Sequence, residues 1–285
     1  MRIVVTGAGG QLGSDLCRML ANETVIPKDL PEFDLTRQGG EDQIFDARPD
    51  VVIHAGAYTD VDGAERTPDL AMAVNRDGTA RVARAAVRAG ARLIYVSTDY
   101  VFDGTATVPY TEQDVPNPLN TYGMSKWLGE QAVLASGADA LVVRTAWLYG
   151  HHGKNFVKSI MSAVRREPAL RVVSDQRGCP TFAEDLASAL LALMAKNVSG
   201  VIHVTNRGDC TWHEFAEAIV REMGLAVPVA PISTGEAGRV AKRPRFSVLN
   251  QDRLVSLGIV MPEWRRSLAQ FVNRQASGSF TGGGA

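Results

Sequence analysis

A tyrosine and a lysine four residues apart, Tyr122 and Lys126 in "TYGMSKWLGEQA" (Thr121–Ala132), are types that could together deliver a proton. On a helix, residues at that spacing share a face, with β-carbons about 5–6 Å apart. A free phenol has a pKa of about 10, which is high for general-acid work near neutrality. Bringing it to about 7 requires roughly 4 kcal/mol at ~1.36 kcal/mol per unit. A unit positive charge ~4 Å away in an effective dielectric of ~20 supplies that much. The spacing therefore predicts a phenol made more acidic by Lys126. Taken alone, Tyr-x-x-x-Lys equally describes a surface aromatic beside a solvated cation.

A second group of residues could hold a dinucleotide. "VVTGAGGQLG" carries Gly7, Gly10 and Gly13 in the pattern G-x-x-G-x-x-G, between a first strand and a first helix. Glycines there permit a tight turn and close backbone approach to a pyrophosphate, which then sits at the positive end of a helix. For the adenosine ribose, Asp29 and Asp34 are both in range, and Lys28 and Arg37 are near enough to take a 2′-phosphate. The choice between NADH and NADPH stays open.

These residues need elements to position them. Candidate strands are Arg2–Thr6, Val51–Ala55, Leu93–Ser97, Leu141–Arg144 and Val201–Thr205, several of them unbroken Val/Ile/Leu runs suited to a parallel sheet covered on both faces. Between and after them, Leu12–Ala21, Leu70–Ala89, Tyr122–Ala135, Phe182–Ala195 and Trp212–Met223 read as helices. Asn120 is placed to cap the tyrosine helix, so Tyr122 falls in its first turn. The alternation predicts an α/β fold, a Rossmann-type doubly wound parallel sheet with a smaller, irregular C-terminal substrate-binding lobe. The expected division is a dinucleotide-binding domain over 1–146, with a returning segment near 180–205, a substrate-binding lobe over 147–275 and a flexible tail over 276–285. On this topology "HAGAYTDVD" (His54–Asp62), "STDYVFDG" (Ser97–Gly104) and "RTAWLYG" (Arg144–Gly150) emerge at the carboxyl ends of strands, where such sheets bind ligands.

Composition excludes several classes. In 285 residues, 45% hydrophobic and 21% charged residues suit a globular chain with a sizeable core. A formal charge of −1 asks for neither nucleic acid nor an anionic membrane. No apolar run approaches the ~20 residues that span a bilayer, and glycines interrupt "MRIVVTGAGG" too early for a secretory core. Cys17, Cys179 and Cys210 have no paired or metal-type spacing, so buried, reduced thiols in a cytoplasmic protein are expected. The adjacent His151 and His152 do not share a helix face and lack a third ligand, so no metal is assigned to them.

In order along the chain, the glycine turn, "DLT" at Asp34, "YTDVDGAE" at Tyr58–Glu65, "STDYVFDG", P-L-N-x-Y-G-x-S-K, "RTAWLYG" followed by Asn155-Phe156, and "RPRFSVLN" (Arg243–Asn250) resemble the extended short-chain dehydrogenase/reductase family. The resemblance runs to about Phe271 and is strongest to the branch that reduces keto sugars carried on dTDP. It implies reduction of the 4-keto group of dTDP-4-dehydro-L-rhamnose by NADPH or NADH. It implies Tyr122 as proton donor, Lys126 on the nicotinamide ribose, Thr98 on the substrate carbonyl and Asp99 on the sugar. Gly10, Gln11, Leu12, Asp34, Leu35, Gly56, Ala57 and Tyr58 would line the dinucleotide, and Trp147 and Asn155 would face substrate.

Some roles stay open between site and scaffold. Arg243 is either a partner for the substrate diphosphate or one half of a salt bridge. Asn75 is either a site organiser or a helix-surface amide. Trp147 could also be core packing. Members of the family dimerise through a magnesium site, and Asp15 and Glu184 match two of its acids without a third, so Mg²⁺ is unsupported while a homodimer stays open. Dehydratases of the family carry Glu where this chain has Tyr100, which argues against elimination. An epimerase, another nucleotide-sugar reductase, and a regulatory subunit resembling the methionine adenosyltransferase β-subunit are the rival readings.

Overall fold

The computed structural model describes residues 1–277. A six-stranded, fully parallel sheet forms its centre, from β1 (Arg2–Thr6), β2 (Thr24–Lys28), β3 (Val51–His54), β4 (Arg92–Thr98), β5 (Ala140–Thr145) and β6 (Gly200–His203). Their spatial order is β6-β5-β4-β3-β1-β2. Alternate side chains of β1 take opposite faces: Ile3 and Val5 join Leu12, Leu16, Leu186 and Leu190 on one side, and Val4 joins Val82, Tyr95 and Val133 on the other. Helices Gln11–Met19 and Ala183–Met194 cover the first face, and Thr79–Ala89 and Thr121–Leu134 cover the second. β3 and β5 are buried along their whole length, which accounts for their apolar runs Val51–Ile53 and Ala140–Val143.

The doubly wound sheet is the expected fold; of the five expected strands, Arg2–Thr6 is found with the expected ends and the other four with ends shifted by at most two residues. β2 was not expected. Its Pro27 disguises it, but β2 is an edge strand paired only with β1, where a missing N–H can face away from the ladder.

The helix expected over Leu70–Ala89 is three pieces: Pro68–Met72, a π-helical turn over Ala73–Gly78, and Thr79–Ala89. A π turn adds one residue without breaking the run, so the helical pattern gives no sign of it, and such turns gather at functional positions.

After β5 the chain leaves the sheet, returns through Ala183–Met194 and β6, and leaves again. A second core is built from Tyr149, Val157, Ile160, Phe182, Phe215, Ile219, Trp264, Leu268 and Phe271. It includes the helix Trp264–Ala276, which was not expected. Of the expected tail, Ala276 closes this helix and Ser277 follows as a turn; 278–285 lie outside the described residues. Cys179 and Cys210 are buried as expected, whereas Cys17 is partly exposed at the edge of its core. Among the described residues no helix is long and apolar enough to cross a membrane.

Candidate active site

β1 and β3 lie side by side, and the helices that follow them cover opposite faces, so a crevice opens at their carboxyl ends. The glycine turn fills it. Gly7 has φ +69°, and a β-carbon there would come within 2.6 Å of Gly56 Cα. A β-carbon at Gly13 would sit 2.0 Å from the Gly7 carbonyl oxygen. Only bare backbone permits this three-way approach. The helix Gln11–Met19 starts at Gly10 with no side-chain cap among the described residues, leaving the N–H groups of its first turn beside the crevice. A cavity of about 880 Å³ extends from Gly7, Gly10, Gln11, Leu12 and Gly13, past Gly56 and Ala57, to Tyr122, Lys126 and Trp147. The cradle and the uncapped helix end fit a dinucleotide pyrophosphate.

Asp29, Asp34 and Leu35 line the same cavity. Asp29 accepts from the N–H of Gly9 at 2.5 Å and of Leu30 at 2.9 Å, so it braces the turn. Asp34 accepts both donors of Thr36, at 2.8 and 2.7 Å, and these bonds hold its pKa below the usual carboxylate value. The bases considered for a 2′-phosphate are already engaged. Lys28 donates to Gln43 at 3.0 Å, and Arg37 lies 3.4 Å from Asp34.

Asn120 caps the tyrosine helix by accepting from Gly123 N at 2.8 Å, and Glu65 accepts from Thr121 N at 2.7 Å. Tyr122 therefore enters the cavity from the first turn, as expected. Thr98, the last residue of β4, lines the cavity with Tyr122, donates to Asp99 Oδ1 at 3.1 Å and accepts from Tyr100 N at 3.2 Å. One turn on, Lys126 donates from Nζ to the Val96 carbonyl at 2.7 Å and lies 4.2 Å over the Tyr95 ring.

The electrostatics differ from the sequence expectation. Burial pushes the Tyr122 phenol up to about 12, opposed by the Thr98 hydroxyl and reinforced by Asp99. Burial also pushes the Lys126 ammonium down to about 7, against the pull of Glu130. The Coulomb argument gave Lys126 to the phenol. In the fold the ammonium is held by the Val96 carbonyl and the Tyr95 ring, and desolvation dominates both groups. Asp99 is likewise raised to about 6 by burial, against the opposing pull of the Ser247 and Thr98 hydroxyls.

Sequence reasoning left Asn75 open and missed its neighbours. Asn75 is 1% exposed and sits in the π-helical turn. Its Oδ1 accepts from Tyr58 N at 2.8 Å, and its Nδ2 donates to the Tyr58 carbonyl at 2.9 Å and to Ser125 Oγ at 2.9 Å. It is an organiser, tying the loop after β3 to the tyrosine helix. Glu130, fully buried, holds Arg144 through contacts of 2.7, 3.0 and 3.2 Å and accepts from Ser97 Oγ at 2.5 Å. Nothing in their spacing pairs residues 130 and 144; the helix Thr121–Leu134 lays Glu130 over β4 and β5, where the register sets Ser97 beside Arg144.

The residues expected on substrate divide. Trp147 and Asn155 line the cavity. Trp147, at φ +46°, stacks on Trp212 at 3.5 Å and 7°, so the packing role and the cavity role coincide. Trp212 also lines the cavity and was missed; it follows the capping box of Thr211 and Glu214, a signal for the helix but not for the site. Asn155 caps its own helix and donates to Gln11 Oε1 at 3.0 Å.

Arg243 is not among the cavity-lining residues. It forms a two-pronged pair with Asp62 at 3.0 and 3.2 Å and donates to the Ala241 carbonyl at 3.0 Å, so the salt-bridge alternative is the one seen. Tyr58 is also off the cavity wall: Asn75 holds its backbone and its hydroxyl lies 3.3 Å from Thr67. Asp15 and Glu184 meet through arginines, with Arg18 3.0 Å from Asp15 and 3.4 Å from Glu184, and Arg274 2.6 Å from Glu184.

A family model described as the RmlD substrate binding domain matches residues 1–277. The dTDP-4-dehydrorhamnose reductase of Burkholderia thailandensis is 41% identical over 285 residues, covering 93% of this chain and 96% of that protein. The spore coat polysaccharide biosynthesis protein SpsK of Bacillus subtilis is 39% identical over 279 residues, covering 97% and 98%. Among solved structures, the Bacillus anthracis dTDP-4-dehydrorhamnose reductase in complex with NADP superposes with a TM-score of 0.93 at 39% identity, covering 96% of this chain and 99% of that one.

Proposed function

The chain belongs to the RmlD substrate binding domain family, and from that membership we propose that it reduces the 4-keto group of dTDP-4-dehydro-L-rhamnose to give dTDP-L-rhamnose. The observation that carries the reading is the convergence of Thr98, Tyr122 and Lys126 on the cavity that begins at the glycine turn. A dinucleotide cradle alone would suit a binding protein. A cradle joined to a proton donor suits a reductase.

NADPH or NADH supplies the hydride when bound. The protein's own part is the proton and the geometry. A carbonyl receiving hydride becomes an alkoxide, and the hydroxyls of Thr98 and Tyr122, which line the same cavity, are the donors assigned to that oxygen. With its pKa raised to about 12, Tyr122 keeps its proton throughout the neutral range and is loaded for the reductive direction. Lys126 is assigned to the nicotinamide ribose from its seat on Val96 and Tyr95, one helical turn below. Gly7, Gly10, Gln11, Leu12 and Gly13 are assigned to the pyrophosphate, with Asp34, Leu35, Gly56 and Ala57 along the adenosine half. On the substrate side, Asp99 and Trp147 are assigned to the sugar. Tyr100, in the position where dehydratases of the family carry Glu, offers no carboxylate for elimination.

The test is consumption of reduced dinucleotide with dTDP-4-dehydro-L-rhamnose, with NADPH and NADH compared in parallel. Tyr122→Phe is expected to bind dinucleotide as the wild type does and to lose most of its turnover, by about 10²-fold or more. Near-normal turnover in that variant removes Tyr122 from the mechanism. A wild-type protein that turns over no keto sugar but recovers a stoichiometric protein partner favours the regulatory-subunit reading instead.

A further inference from the structure

The cavity has few cations for a ligand rich in phosphate. Its lining includes the carboxylates of Asp29, Asp34 and Asp99 and the ammonium groups of Lys126 and Lys154. Lys126 is held by the Val96 carbonyl and the Tyr95 ring. Lys154 is exposed, and its ammonium makes no hydrogen bond or ion pair among the described residues. It belongs to the second lobe, on a short strap (151–155) that joins the strand Leu148–Tyr149 to the helix Phe156–Ala163.

The strap's backbone is fixed although the Lys154 side chain is free. Lys158 Nζ donates to the carbonyls of His151 and Gly153. Asn155 donates to Gly150 O at 2.8 Å and to Gln11 Oε1 at 3.0 Å. A β-carbon at Gly153 would already be 3.4 Å from Gln11 Cγ. Gln11 is the first residue of the glycine-turn helix, so the strap is moored at the helix end that fits a pyrophosphate.

Resting on the reductase reading, we propose that Lys154 is a cofactor-binding residue. It closes from the second lobe onto the dinucleotide's pyrophosphate and supplies the cation that the glycine turn lacks. The mooring to Gln11 favours this phosphate group over the substrate's diphosphate, because Gln11 opens the helix whose uncapped end fits the pyrophosphate. A fixed strap carrying one mobile ammonium loses little entropy on engagement, so the contact strengthens binding without requiring the lobes to move.

The experiment is calorimetric or fluorescence titration of wild type, Lys154→Ala and Lys154→Arg with NADPH, with NADH and with dTDP, at low and high salt. Lys154→Ala is expected to weaken NADPH and NADH by the same factor, about tenfold, as for one lost charge-assisted contact. It should leave dTDP affinity and the melting temperature unchanged and flatten the salt dependence of dinucleotide binding. Lys154→Arg should restore most of the affinity. Equal dinucleotide affinities in wild type and Lys154→Ala overturn the proposal and leave the reductase reading standing. A loss confined to NADPH points to a 2′-phosphate contact, and a loss confined to dTDP to the substrate; either overturns it. A wild-type protein that binds neither dinucleotide overturns both.

Discussion

Asp99 is a carboxylate in surroundings that disfavour its charge. A carboxylate 1% exposed beside Thr98 has the Tyr100 and Tyr122 phenols and the Cys179 thiol in its field, and none of these is a cation. Its folded pKa of about 6 lies above the unfolded value, so the native state holds this proton more tightly. The stability this contributes is complete below about pH 4 and is lost as pH rises through about 6. Asp99→Asn lacks that ionisation. Its stability relative to wild type should therefore rise between pH 4 and pH 7 by about 2–3 kcal/mol, at ~1.36 kcal/mol per unit. Urea unfolding at both pH values reads this directly, and a gap that does not change with pH refutes the buried-carboxylate account. The identities of Thr98, Asp99, Tyr122 and Lys126 were legible as types at telling positions. Their charges were not, because desolvation is set by what packs around a side chain, and Tyr95, Val96 and Ser247 come from elsewhere in the chain.

At the scale of elements, the tyrosine helix is the part that most needs support. Gly123 packs on the Tyr100 carbonyl, and Gly129 on the Asn75 carbonyl and the Tyr95 hydroxyl, so the helix lies flush against three other segments. Beneath Lys126, Glu130 and Arg144 form a pair whose side chains are 0% and 4% exposed. Removing one partner of such a pair strands a buried charge, at a cost of about 3–5 kcal/mol. Glu130→Ala should show a loss of that size in chemical denaturation, and the double variant Glu130→Met/Arg144→Met should recover much of it. If the double variant is as unstable as the sum of the singles, the two charges are not acting as a pair. The helix itself could be read from its cap and pattern. The π-helical turn beside it could not, since Asn75 announces itself only through partners at Tyr58 and Ser125.

Across the whole molecule, the sheet was readable because buried parallel strands must be apolar on both faces, a constraint written into each strand separately. The second lobe follows no such local rule. Its core joins Tyr149, Phe182, Phe215 and Phe271, far apart in sequence, and its short strands pair across long separations, as with Leu170–Val173 against Val229–Ile232. Arg243 shows the consequence. Its type suggested a phosphate partner, whereas its place in the assembled chain gives it Asp62, which also accepts from Ala241 N at 3.0 Å, and Asn120 Nδ2 donates to the Lys242 carbonyl at 2.8 Å. This segment therefore fastens the second lobe to the first beside the tyrosine helix. Two roles can be separated by a cycle of Arg243→Met, Asp62→Asn and the double variant. If Arg243 acts through the ion pair, each single variant should lose stability, the double should lose little more than either, and the coupling should be about 1–3 kcal/mol, as for residues in direct contact. KM for the keto sugar should then move together in all three. If Arg243 instead binds the substrate diphosphate, Arg243→Met alone should raise KM, Asp62→Asn should leave it near wild type, and the stability effects should add.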